Sequence, residues 1–243
     1  MSASTDTAPT PARRSVHRSG APLWPPSISY AVLTICGVVV PSAMAGKGPW
    51  QSDSALLDFF AHHGAAAHAS AFFTFAASVP LAVLTAVATT RLRTLGLDVP
   101  GRIIAQLGGA LASAMLAISG LTTLALTRPH IADSPAAVRA VYGITFATGG
   151  PGFVAFSGLL LLGISIASLS GSVLPRWLAQ AGIAIALVSE LAAFSTAFTG
   201  LDVLLPIGRF GGLAWLLALG FTLPSSRREL RARRGEVRDV DVS

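Results

Sequence analysis

Charge is what this sequence has least of. Only 12% of its 243 residues are Asp, Glu, Lys or Arg, about half the share of a soluble domain, while 52% are hydrophobic and the mean hydropathy is +0.66. A chain of that make-up cannot bury its apolar surface in one water-facing core. The apolar residues also fall in blocks of about 20, the length that crosses a bilayer. Lys47 is the single lysine and Cys36 the single cysteine, so no intrachain disulfide or thiolate metal site can form. The spacings HxxxH, HExxH and CxxC are missing, as are a Walker loop, a dinucleotide fingerprint, a nucleophile-base pair and a histidine pair placed within the spans to hold haem. No cofactor is therefore implied. A pI near 11.0 suggests nucleic acid, yet the arginines stand at the ends of apolar blocks and not among exposed aromatics. That placement is topological, and the partner it implies is the lipid bilayer.

What is present orders itself into three regions. Residues 1–26, rich in Ser, Thr, Ala and Pro with Arg13, Arg14 and Arg18, read as a disordered cytoplasmic tail. Residues 27–224 read as a membrane domain of six spans, and 225–243 as a basic cytoplasmic tail. The spans expected are Ile28–Ala45, Ala65–Thr90 with a kink at Pro80, Ile103–Thr127, Val141–Ser168, Trp177–Thr199 and Ile207–Leu223. Ala43-Met44-Ala45 also mimics a signal-peptide cleavage site, though the long proline-bearing leader favours an uncleaved span. Between the first two spans, Leu56, Leu57, Phe59 and Phe60 beside Asp53, Asp58, His62 and His63 suggest a short amphipathic helix at the interface.

Six spans put both termini on one side. The set holding the two tails, the turn from Arg91 to Arg102 and Arg176 carries thirteen Lys and Arg residues against four opposite, which places both termini in the cytoplasm. The segment Val99–Gly108 can be laid on Leu174–Gly182 with one gap, so a helical hairpin of spans two and three repeating as four and five is an open reading. It would give a four-helix core with the first and sixth helices outside.

Glu190, the only acid inside a span, is the sharpest candidate site. On the expected fifth span, which the rest of the chain frames, it sits near the middle. Gly182, Ala186 and Glu190 share one stripe, which turns the acid toward protein. It reads as a proton or cation site, or as a carboxyl bonding across a helix interface. Gly149, Gly150, Pro151 and Gly152 should break or sharply kink the fourth block, freeing backbone groups to bind an ion or solute; alternatively the true span begins near Pro151. Asp58, His62, His68 and His130 lie on the external side and carry ligand chemistry suited to zinc, against the reading that they are ordinary loop side chains. Gly208 and Gly212 form a GxxxG, and Asp202 with Arg209 reads as a pair across the turn before the last span.

The runs LPRWLAQAG (174–182) and LPIGRFGGLAWLLALG (205–220), with GGPGF (149–153) and FFAHHG (59–64), resemble those of a group of small six-span bacterial integral membrane proteins of actinobacterial type whose activity is uncharacterised. The resemblance implies an all-α polytopic fold in the cytoplasmic membrane and transfers no catalytic residue. The first functional reading is binding or passage of a small solute or ion through the intramembrane carboxylate, without enzymatic activity. The competing readings are an intramembrane or metal-dependent enzyme with an external His/Asp site, and a sensory or accessory subunit.

Overall fold

The computed structural model describes residues 21–45 and 52–233. The expectations for the N-terminal tail up to residue 20, for the first part of the 46–64 loop and for the tail beyond 233 lie outside the described residues. Those residues form helices and no strand: α1 (Trp24–Ala45), α2 (Asp53–His62), α3 (Gly64–Thr94), α4 (Pro100–Leu126), α5 (Pro129–Ala132), α6 (Pro135–Ala147), α7 (Phe153–Gly171), α8 (Arg176–Ala193), α9 (Leu204–Thr222) and α10 (Arg227–Arg233). Six helical stretches are long and apolar enough to cross a membrane. They are α1, α3, α4, the 37-residue run of α6 into α7, and two more spanning Arg176–Thr196 and Gly200–Thr222.

Local chemistry sets several of the starts. Pro100 and Pro135 occupy first-turn positions, where the missing N–H has no helical partner to lose. Ser52 Oγ accepts from Ala55 N at 3.2 Å to cap α2, and Ser134 caps α6 in the same way. Pro80 lies inside α3, which runs on through it.

The six spans pack as a closed ring in chain order, from α1 to α3, α4, α7, α8 and α9, and α9 returns to α1. The expected four-helix core with two helices outside is not what forms. Small residues set the close approaches. A Cβ on Gly120 would meet the backbone N of Phe75 at 2.6 Å, and one on Gly108 the backbone N of Leu160 at 2.6 Å. Gly101 and Gly163 face each other across α4 and α7, so tight backbone contact takes the place of the hydrophobic drive that lipid cannot supply.

The most buried span is the fourth, at 61%, against 39% for the fifth and 22% for the first. The chain is therefore organised around α7 and not around the helix that carries Glu190. On the outside of the ring, Phe72, Val79, Leu107, Leu187 and Phe221 are all more than half exposed; facing acyl chains they cost nothing, while facing water they would form a large apolar surface.

One end of the bundle carries Trp24, Thr222, Arg93, Arg102, Arg176 and α10, and is called here the arginine-rich end. Two of its arginines bind helix ends reciprocally. Arg91 of α3 is buried, and its Nη1 donates to Leu223 O, just past α9, at 2.9 Å while its Nη2 reaches Ala21 O. Arg227 Nε donates to Thr94 O at the end of α3 at 2.8 Å. Arg91 meets the carbonyl-bearing end of α9, beside the helix of Arg227, and Arg227 meets that of α3, which carries Arg91, so each cation lies where a helix dipole favours it. At the far end, α2 docks through Leu56, Phe59 and Phe60 onto Ala66, Ala67, Leu126 and Val138, and Asp53 pairs with Arg139 at 2.9 Å. The amphipathic helix expected here exists, and its apolar face is spent on the bundle.

Candidate functional site

Glu190 lies in the last turn of α8, not near its middle. From Arg176 it is about 21 Å along the helix axis at 1.5 Å per residue, two-thirds of the way across a hydrocarbon core of about 30 Å. Its stripe partners behave as expected: Gly182 packs on Trp215 and Ser165, and Ala186 is fully buried. Glu190 itself is half-buried at the seam between α7 and α8. One oxygen, Oε1, turns inward to the place where a Cβ on Gly158 would stand 3.1 Å away, and it has no hydrogen-bond partner. The absence of a side chain at Gly158 makes the room for it.

The Gly149-Gly150-Pro151-Gly152 run does not break its helix. Residues Thr148–Gly152 form a π-helical turn that joins α6 to α7 without interruption. Pro151 has no N–H to give and its ring would clash in a regular turn; widening by one residue absorbs both defects. The Phe153 N–H then bonds Thr148 O and Gly150 O, passing over Gly149 O, which would be its α-helical acceptor. Arg209 Nη1 takes that carbonyl at 3.0 Å, and the guanidinium carbon stands 5.3 Å from the centroid of the Phe153 ring. Freed backbone was expected to serve a ligand, and a side chain of α9 uses it instead.

Sequence reasoning missed the position of Arg209. With the last span expected from Ile207, the arginine stands at an aqueous end, paired with Asp202. The helix begins instead at Leu204, which draws Arg209 a turn deeper, and the two residues form no ion pair. Leu205, Gly212, Leu216 and Gly220 are buried at spacings that put Arg209 on the same stripe. That stripe was the available signal. Gly208 does act as a packing device, since a Cβ there would meet Val154 at 2.8 Å.

The histidines do not converge. Asp58 Oδ1 and His62 Nδ1 pair at 2.9 Å with both side chains exposed. His68 is engaged elsewhere, with Nε2 3.2 Å from Thr127 Oγ1 and Nδ1 3.1 Å from Gly64 O. His130 is exposed on the short α5. Among the described residues no three His, Cys, Asp or Glu side chains could hold one metal ion, because the four expected ligands are spread over α2, α3 and α5.

Six apolar spans with polar side chains turned into their seams define a multi-pass α-helical integral membrane protein. No family model matches this chain, and no curated protein and no solved structure matches it either.

Proposed function

We propose that this protein binds a proton or small cation at Glu190 and passes it, or a solute coupled to it, across the bacterial cytoplasmic membrane. The observation that carries the reading is the buried Oε1 without a partner. A carboxyl oxygen withdrawn from water with no donor is costly, and a bound proton or cation supplies what it lacks. A group in the outer part of a span, satisfied only when loaded, is a binding site. The same reading sets the arginine-rich end and both termini in the cytoplasm, so Glu190 loads from the external side.

The test is ion flux in proteoliposomes containing a pH-sensitive dye and an imposed potential. Wild-type protein should dissipate an imposed gradient of protons, sodium or potassium faster than empty vesicles, and Glu190→Gln should abolish that excess while inserting normally. Equal flux in the two proteins would remove the reading, as would no excess flux in the wild type.

A further inference from the structure

The arginine-rich end has a chemistry of its own, independent of Glu190 and of the compartment that end faces. Among the described residues it bears Arg91, Arg93, Arg102, Arg176 and the four arginines of α10, against the carboxylates of Asp98 and Glu229. Both acids are engaged. Asp98 pairs with Arg102 at 2.7 Å, and Glu229 Oε2 accepts from Ser225 N at 2.8 Å and from Ser225 Oγ at 2.9 Å. Arg93, Arg176, Arg228 and Arg231 are exposed and enter no ion pair among the described residues.

The fold holds these arginines on a fixed surface. A helix of seven residues does not persist by itself, so α10 depends on its anchors. Ser226 Oγ accepts from Glu229 N at 3.3 Å while Glu229 reaches back to Ser225 N, a variant of the capping box. Leu230 packs on the main core cluster, and Arg227 Nε donates to Thr94 O at 2.8 Å. Docked in this way, Arg227 and Arg231 stand one helical turn apart, a like-charge spacing that costs stability. An anion beside them offsets that cost.

The level of the surface in the membrane is marked by two indoles. Trp24 opens α1 and is 52% exposed, and Trp177, next to Arg176, is 65% exposed in the first turn of α8. Exposed tryptophans at span ends sit among lipid headgroups, and the arginines stand at the same level. Helices α3 and α8 occupy opposite positions in the ring, so Arg93 and Arg176 spread the charge around the rim. A soluble acidic partner would have to cap the whole end to meet it, whereas a leaflet of anionic lipid surrounds it.

We infer that Arg93, Arg176, Arg228 and Arg231 form a collar that binds the phosphates of anionic phospholipids, with Arg227 as the anchor that holds α10 in place. A guanidinium meets a phosphate through two parallel N–H bonds, and each exposed member of the collar presents that fork.

The test reconstitutes the full chain in phosphatidylcholine vesicles and measures, by electron paramagnetic resonance, how much spin-labelled phosphatidylglycerol and spin-labelled phosphatidylcholine the protein surface retains. At about 50 mM salt the wild type should favour phosphatidylglycerol about threefold, the average of sites beside an arginine, at about fivefold, and sites elsewhere. The preference should fall toward one at about 500 mM salt, where the charges are screened. It should be lost in the triple variant Arg93→Gln, Arg228→Gln, Arg231→Gln, which spares Leu230 and the Arg227–Thr94 bond, and kept in Arg128→Gln at the far end. Arg176→Gln, which leaves α10 untouched, should lower it in part and serves if the triple variant does not fold. Equal retention of the two lipids by the wild type, a preference undiminished at high salt, or one unchanged in both the triple variant and Arg176→Gln overturns the proposal. Lipid preference and flux through Glu190 are separate readouts, and either can fail alone.

Discussion

Arg209 Nη1 and the carbonyl of Gly149 meet at 3.0 Å across two spans far apart in sequence, and the bond exists because the π turn redirects Phe153 N–H away from that carbonyl. The turn is thus both the remedy for Pro151 and the anchor for α9. Its two leading glycines have different surroundings. A Cβ on Gly149 would run into Ser119, whereas one on Gly150 would meet nothing nearer than 3.8 Å. Gly149→Ala should therefore cost about 1–3 kcal/mol through overpacking, while Gly150→Ala should be neutral or gain up to about 1 kcal/mol of helix propensity. Reversible unfolding in mixed micelles reads the difference, and equal effects would contradict the packing described.

The α3–α4 seam yields a similar contrast. At Gly120 the obstruction is the backbone of Phe75, which cannot rotate aside, and at Gly143 of α6 nothing lies within 4 Å. Gly120→Ala should lower stability by about 2 kcal/mol or more, and Gly143→Ala should leave it unchanged or raised. The same unfolding measurement serves.

At the arginine-rich end, Arg91 is buried and bonded to two carbonyls, whereas Arg227 is exposed and bonded to one. Arg91→Ala should cost about 3 kcal/mol, with the carbonyl of Leu223 losing its charged donor. Arg227→Ala should cost about 0.5–1 kcal/mol. Limited proteolysis after Leu223 provides a local check: cleavage should rise sharply in the first variant and slightly in the second.

Helix α2 is held by apolar contact more than by charge. Phe60→Ala removes a ring that is 4% exposed and packed near Tyr142, a loss of about 3–5 kcal/mol in a core. Asp53→Asn breaks an exposed pair with Arg139, worth about 0.2–1 kcal/mol. Hydrogen exchange over residues 53–62 should accelerate strongly in Phe60→Ala and little in Asp53→Asn.

The number and approximate bounds of the spans were legible because bilayer thickness imposes a length on each apolar block. The helix α2 was legible too, since its apolar residues recur at helical spacing, but an interfacial position was expected for it and its apolar face docks on the bundle instead. What the sequence hid is which helix is the most enclosed. Glu190 drew attention to α8 because a lone acid is conspicuous, yet burial depends on how many neighbours a helix acquires, and α7 touches α4, α8 and α9 while carrying no charged residue. The π turn was half visible: Pro151 among three glycines marks a defect, but a break and a widened turn look alike without the carbonyl to which Arg209 donates. Arg209 was placed at the aqueous edge because helix starts are the least certain bounds, and a shift of three residues moved it to the inward stripe.

The central claim is a six-span bundle whose two ends face opposite aqueous compartments, and site-directed labelling tests it most directly. In a Cys36→Ser background, Ser54→Cys on α2 and Ser226→Cys before α10 each place one thiol on an exposed or half-exposed site at opposite ends. A membrane-impermeant maleimide added to intact cells should modify the thiol at 54 at once and the thiol at 226 only after permeabilisation. Labelling of both from outside would contradict it, and labelling of 226 alone would keep the opposed ends but overturn the proposed orientation.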